Sequence, residues 1–249
     1  MLLHCTRLCE DGNDDVADRA ERAGQAVTRS CRAARRPGPD ALQTRKVASA
    51  AGTSTMAVYT HFGGMRGLIA AVAEEGLRQF AAALAVPLTS DPVADLVATG
   101  IAYRRYALER PHMYRLMFGS TSAHGINAPA HNLLALSVAE ISDRYPSFAH
   151  LVRAVRRSML AGRITAGSAD DDAAVVAIAA QFWALIHGFV MLELAGHYAA
   201  GNGAVGPVLA SATANLLVAL GDSPERVEQS QRAAAQAAAS GLGRLSRLT

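Results

Sequence analysis

LQTRKVASAAGTSTMAVYTHFGGMRGL, spanning Leu42 to Leu68, carries more structural information than any other segment of the chain. Asp40 or Thr44 supplies a short side-chain oxygen that can cap a first helix by accepting an orphan backbone N–H. Val47, Ala48 and Ala51 recur at helical spacing and are small enough for close packing. Gly52 gives the backbone freedom that a tight turn needs. Ser54 is the natural N-cap of a second helix that contains Met56, Ala57 and Tyr59. Two short helices joined by a glycine turn are the form of a helix-turn-helix, and in such a unit the start of the second helix reaches base edges in the major groove of DNA. Ser54, Thr55 and Met56 occupy that start, where free N–H groups and the helix dipole also favour a phosphate. Tyr59, Thr60 and His61 can donate to phosphate oxygens, which fixes register without reading sequence.

Charge is distributed to match. Residues 1–26 carry a net −3, residues 27–66 a net +6, and residues 67–249 balance to zero, so the overall +3 is concentrated around the proposed reader. Arg32, Arg35 and Arg36 fit either a phosphate-facing patch or a solvated basic linker.

Thr44, Val47-Ala48, Ala51-Gly52-Thr53-Ser54, Tyr59-Thr60-His61-Phe62 and Leu68 together resemble the DNA-binding domain of the TetR (tetracycline-repressor) family of bacterial transcription regulators. Tyr106 to Phe118 (YALERPHMYRLMF) is similar to the segment that joins helices six and seven in many members. Trp183-Ala184-Leu185-Ile186-His187-Gly188, followed by Leu192-Glu193, resembles the Trp-His-Gly signature of one class of the family's ligand-binding domains. The resemblance implies DNA contacts from Thr44, Arg45, Lys46, Ser54, Thr55, Met56, Tyr59, Thr60, His61 and Arg66. Arg66 enters because the family's usual Lys at the start of helix four is replaced here by Met65. Helix one also departs from the family: between Asp14 and Arg36 only Val16, Val27 and Cys31 are apolar and larger than Ala, a thin stripe for a core-facing helix.

Composition points to an all-α protein. Half of the 249 residues are hydrophobic and 5% aromatic, alanine is abundant, and few runs alternate as strands do. The expected division is an N-terminal extension over 1–26, a helix-turn-helix domain over 27–84, a helical effector-binding and dimerisation domain over 85–221, and an Ala/Gln-rich tail over 222–249, at most a loosely attached helix. Helices are expected over residues 66–86, from Pro92 to about Glu109, after Pro111, and over about His131–Tyr145 and Ser147–Ala161, with a loop from Gly119 to Pro129.

The run Ala173 to Leu192 has 20 residues without an acid, Lys or Arg, and length alone permits a membrane span. Gln181, His187 and the many alanines argue instead for a helix covered on every side, partly by its own domain and partly by a second copy. With the apolar helix that follows, about Val205 to Leu220, it would build a four-helix interface, the arrangement the resemblance also implies. Phe189, Leu192, Val208, Leu209, Leu216 and Leu217 are the expected interface residues.

The resemblance further implies a cavity for a small effector, for which Tyr103, Tyr106, Met113, Met117, Phe118, Phe182, Trp183, His187 and Met191 are the candidates. Aromatic and Met side chains around a few polar groups suit an apolar ligand. Trp183 and His187 lie one helical turn apart and share a face; His187 is either a ligand contact or a core histidine bonded to a backbone carbonyl.

A helical-bundle metal enzyme is the competing class, because Glu109-Arg110-Pro111-His112 is a Glu-x-x-His. Such bundles use two of these motifs plus two more Glu residues, and Pro111 interrupts the one here. No nucleophile elbow, phosphate-binding loop or zinc-protease motif is present. Cys5, Cys9 and Cys31, even with His4, match no strong zinc spacing and read as free thiols in a reducing cytoplasm. No signal peptide is evident at the start. The chain thus reads as a cytoplasmic, ligand-responsive transcription regulator, without metal or cofactor. It is expected to repress by binding a near-palindromic operator as a homodimer, and to be released by a small apolar effector. A relative that has lost DNA binding is the other alternative.

Overall fold

A computed structural model describes Met56, Tyr59 and residues 62–118, 132–198 and 201–245; the expected helix one, the first helix of the helix-turn-helix, the cysteines and the 119–129 loop lie outside these residues. The described residues form eight α-helices and no strand. They are α1 (Met65–Leu84), α2 (Pro92–Glu109), α3 (Pro111–Phe118), α4 (Val138–Arg144), α5 (Pro146–Leu160), α6 (Asp172–Leu194), α7 (Ser211–Ala219) and α8 (Pro224–Leu245).

Local chemistry sets the boundaries. The Asp91 carboxylate accepts from the Val93 and Ala94 N–H groups at the start of α2, with Pro92 in the first turn, where its missing N–H is no loss. Pro111 ends the helical run of α2 and opens α3. Asp171 caps α6 through the Ala173 and Ala174 N–H groups. The single helix expected over His131–Tyr145 is instead a 3-10 turn, Leu133–Ala135, followed by the short α4. Ser137 causes the division: it forms a capping box with Glu140, which starts a new helix rather than continuing an old one.

The chain divides into two compact units. The first comprises residues up to Leu77 together with Arg110–Ala128, so it includes most of α1 and all of α3. The second comprises Arg78–Glu109 and everything from Pro129 onward. Its core gathers Val93 and Leu96 of α2, Val152 and Val155 of α5, Val175, Val176 and Phe182 of α6, Leu217 of α7 and Val227 of α8. Helix α2 lies at the centre, packed by α5, α6 and α8.

α8 revises the expected loose tail. Val227, Ser230 and Ala234 are buried along one face of it, at the three-to-four-residue spacing of a docked amphipathic helix. Arg163, from the turn after α5, reaches across to it. Its Nε donates to both Asp222 oxygens at 2.9 Å, Nη1 to Asp91 Oδ1 at 2.9 Å and Nη2 to Ser230 Oγ at 3.1 Å. The Ser230 hydroxyl in turn donates to Asp91 Oδ2 at 2.6 Å. Burial opposes charge on Asp91, but the Ser230 hydroxyl, the Ala94 and Val93 amides and the Arg163 guanidinium outweigh it and hold its carboxyl below the ordinary value.

α6 is long and apolar enough to cross a membrane by length and composition. One side of it, including Val175, Ile178, Phe182 and Val190, is buried within the chain, and Gln181 on another side is exposed.

Candidate DNA-reading head and effector site

In the first unit, Met56 and Tyr59 are both helical and three residues apart, so they share a face. They are among the most exposed large side chains described, at 73% and 60%. Arg66, at the start of α1, is also exposed. The other expected DNA contacts, Thr44, Arg45, Lys46, Ser54, Thr55, Thr60 and His61, lie outside the described residues.

The reading helix ends through its own backbone. Gly63 N–H donates to Tyr59 O at 3.0 Å, and Gly63 and Gly64 then adopt φ of 65° and 107°, a conformation L side chains disfavour. Helix α1 begins at once, with Leu68 N–H bonded to Gly64 O, and buries Leu68, Ile69 and Val72. Gly67 is the residue that sequence reasoning missed here. A Cβ on it would overlap the Phe62 carbonyl oxygen and stand 2.9 Å from the carbonyl carbon. Only glycine allows α1 to start this close to the end of the reading helix. α3 seats in the same unit by a similar close approach, since a Cβ on Gly76 of α1 would lie 2.5 Å from Met113 Sδ and 3.0 Å from Met117 Sδ.

The nine expected effector residues separate. Met113, Met117 and Phe118 belong to the first unit, where both methionines are buried and the Phe118 ring packs 5.0 Å from Tyr114. The other six belong to the second. Three of those converge: Tyr103 Oη lies 3.1 Å from His187 Nδ1 and accepts from Trp183 Nε1–H at 3.3 Å. His187 Nδ1 therefore meets a side-chain hydroxyl. Phe80 stacks edge-on against Tyr103 at 4.9 Å, and Phe148 packs 5.6 Å from Trp183. Burial pushes the His187 imidazole below its ordinary value and so favours its uncharged form. Trp183 and His187 are half-exposed, whereas Tyr103 is buried.

Phe182 and Tyr106 are buried. A helix turns roughly 100° per residue, which carries Phe182 away from Trp183 into the hydrophobic core. Tyr106 is 2% exposed beside Phe80 and is a packing residue. Met191 is half-buried.

The expected subunit face also needs revision. Leu192 and Val208 are exposed, and Leu209 and Leu216 are half-exposed. Phe189 and Leu217 are buried inside the chain, Phe189 stacked on Tyr198 at 5.1 Å, so neither presents itself to a second copy. Val218, which is exposed, and Leu185, half-exposed, were not among the expected residues. Between α6 and α7 the chain makes a π-helical turn, Val205–Ala210, with Pro207 exposed in its first half. Arg104 is a second residue that sequence reasoning missed: its guanidinium bonds both carboxylate oxygens of Glu193, at 2.8 and 2.6 Å.

Among the described residues no group of three or more His, Cys, Asp or Glu is placed to hold a metal ion.

Residues 29–72 match the family model for bacterial regulatory proteins of the tetR family, and residues 96–220 match the model for the tetracyclin repressor-like C-terminal domain. No curated protein matches the chain. The structure is similar to that of a protein with unknown function from Rhodococcus sp. RHA1, with a TM-score of 0.60 and 26% identity over 80% of this chain and 95% of that one. It also shares the fold of SCO4313, with a TM-score of 0.51 and 22% identity over 82% of this chain and 97% of that one. The two domain matches cover the helix-turn-helix and the helical body in the order that the residues themselves imply: this chain is a member of the TetR family of transcription regulators, an all-α DNA-binding protein and not an enzyme.

Proposed function

We propose that the chain acts as a cytoplasmic homodimeric repressor. Two reading helices would enter successive major grooves of a near-palindromic operator, with Ser54, Thr55 and Met56 toward base edges and Thr44, Arg45, Lys46, Tyr59, Thr60, His61 and Arg66 on phosphates. The observation that carries this reading is the outward face of the second helix: Met56 and Tyr59 are solvent-facing on a segment that matches the family's DNA-binding domain. The subunits would meet through Leu192, Val208, Leu209, Leu216 and Val218 of α6, the turn after it and α7, an apolar strip that a second copy covers by symmetry.

The effector would be small and largely apolar. It would bind against Trp183 and His187, the half-exposed members of the Tyr103 cluster, whose neutral imidazole and hydroxyl orient a polar group without demanding charge. It releases DNA only to the extent that it binds the released form more tightly than the DNA-bound form.

The test is selection of fragments from a genomic pool by the purified full-length protein, followed by sequencing. The expected result is enrichment of a near-palindrome whose half-sites lie about 34–36 Å apart or a multiple of that. Selection of random fragments only, lost by about 200 mM salt, would leave simple charge attraction as the explanation and overturn the reading.

A further inference from the structure

We propose that Arg104 is a positioning residue through which the Tyr103–Trp183–His187 site and the subunit face sense one another; the proposal rests on the effector and dimer reading given above. Tyr103 and Arg104 are neighbours on α2, and both reach α6. Tyr103 does so at His187 and Trp183, and Arg104 at Glu193, near the end of the helix. The Arg104–Glu193 pair is two-pronged, with side-chain exposures of 15% and 9%. Such a fork is more directional than a single contact, because each guanidinium N–H meets its own oxygen.

The same guanidinium holds the next segment. Its Nη1 donates to Asn202 Oδ1 at 3.0 Å and its Nη2 to Gly201 O at 3.2 Å. Asn202 O then accepts from Val205 N–H at 3.0 Å, at the start of the turn that presents Val208. Leu192, exposed at 45%, precedes Glu193, and Val208 is exposed at 39%. One side chain therefore fixes both borders of the apolar face, the end of α6 and the entry to the 205–210 turn. A helix backbone is stiff over two residues, so a displacement of Tyr103 relative to α6 is carried to Arg104 and from there to Asn202. Covering the face with a second copy loads the same linkage from the other end, because coupling between sites is reciprocal. A clamp that only stabilised the fold would hold Glu193 and leave the two sites independent.

Trp183 is the chain's one tryptophan, so its emission reads the site with no ligand present. The experiment dilutes the full-length protein through its dimer dissociation and follows sedimentation and Trp183 emission side by side. In the unaltered protein the emission maximum is expected to shift as the dimers part. In Arg104→Ala, dissociation occurs at a concentration about tenfold higher and the accompanying shift is lost. Arg104→Lys is expected to behave as Arg104→Ala, since an ammonium cannot span Glu193 and Asn202 together. Asn202→Ala removes only the side-chain contact to the exposed linker and leaves Arg104 on Gly201 O, guards against a folding defect, and is expected to diminish the shift. Sedimentation tests the dimer reading: a monomer at every concentration sinks that reading and this proposal with it. Dimers that part without any change at Trp183, or a shift that survives intact in Arg104→Ala and Asn202→Ala, overturn the proposal and leave the dimer reading standing.

Discussion

Replacing Arg163 by Met removes the one cation that links Asp91, Asp222 and Ser230, while the flexible thioether retains much of the side-chain bulk. Arg163 and Asp222 have side-chain exposures of 7% and 0%, so the carboxylate left behind has little access to water. Deleting one partner of a buried pair in this setting costs about 3–5 kcal/mol, because the remaining charge is desolvated and under-compensated; Arg226 Nε, exposed and 3.8 Å from Asp222 Oδ1, is too distant and too well hydrated to replace the bonds that Arg163 makes. A chain of this size loses about 2–4 °C in Tm per kcal/mol, so the expected drop is roughly 6–20 °C. Two features separate this from a general packing defect. Hydrogen exchange should rise first in α8, since Asp222 and Ser230 hold the start of that helix to the turn carrying Arg163. Adding Asp222→Asn to Arg163→Met should recover part of the loss by removing the under-compensated charge. Thermal unfolding with site-resolved exchange is the assay. A fall below about 1 kcal/mol, or a double variant no more stable than the single, would refute the claim that this ion network fastens α8.

Three further outcomes are expected. Gly67→Ala should destabilise the reading head by about 3 kcal/mol, since the added methyl meets backbone at Phe62 that cannot swing aside; a urea titration and operator titration check it, and unchanged stability with unchanged affinity would mean the close approach does not exist in solution. Tyr103→Phe leaves the Trp183 indole N–H and His187 Nδ1 without their shared oxygen, which should cost about 1–2 kcal/mol and move the Trp183 emission maximum; identical spectra would dissolve the cluster. Burial lowers the His187 and His150 values, and nearby Arg153 adds to the effect at His150. The unfolded chain therefore binds more protons below pH 6.5. Stability is full above that pH and falls as the solution is acidified toward the folded-state values; denaturant midpoints that stay flat from pH 7.5 to 5.5 would contradict both shifts.

Much of the architecture was legible because it is written locally. Pro92 and Pro111 punctuate the chain, and the apolar run of α6 leaves little choice but a covered helix. Trp183 and His187 could be paired from their spacing alone. Their third partner could not, because Tyr103 is brought to them by the packing of α2 against α6, 80 and 84 residues away in sequence. Phe182 is Trp183's neighbour in sequence, but the roughly 100° step of a helix turns it into the core. α8 was misjudged from its alanines and glutamines, although Val227, Ser230 and Ala234 already marked a face. What composition hid was the partner of that face, and Arg163 finds its carboxylates 59 and 72 residues away.

That separation gives the Arg163 cluster a history during synthesis. Asp222 and Ser230 are translated 59 and 67 residues after Arg163, a delay to Ser230 of roughly 3–13 s at ordinary elongation rates. Until Asp222 is made, Asp91 is the one carboxylate of the cluster available to the guanidinium, and one flank of α2 lacks the helix that covers it. The domain becomes whole only when its latest-made helix arrives, so a ribosome stalled before that point would expose a sticky, half-neutralised intermediate to whatever chaperone or protease reaches it first.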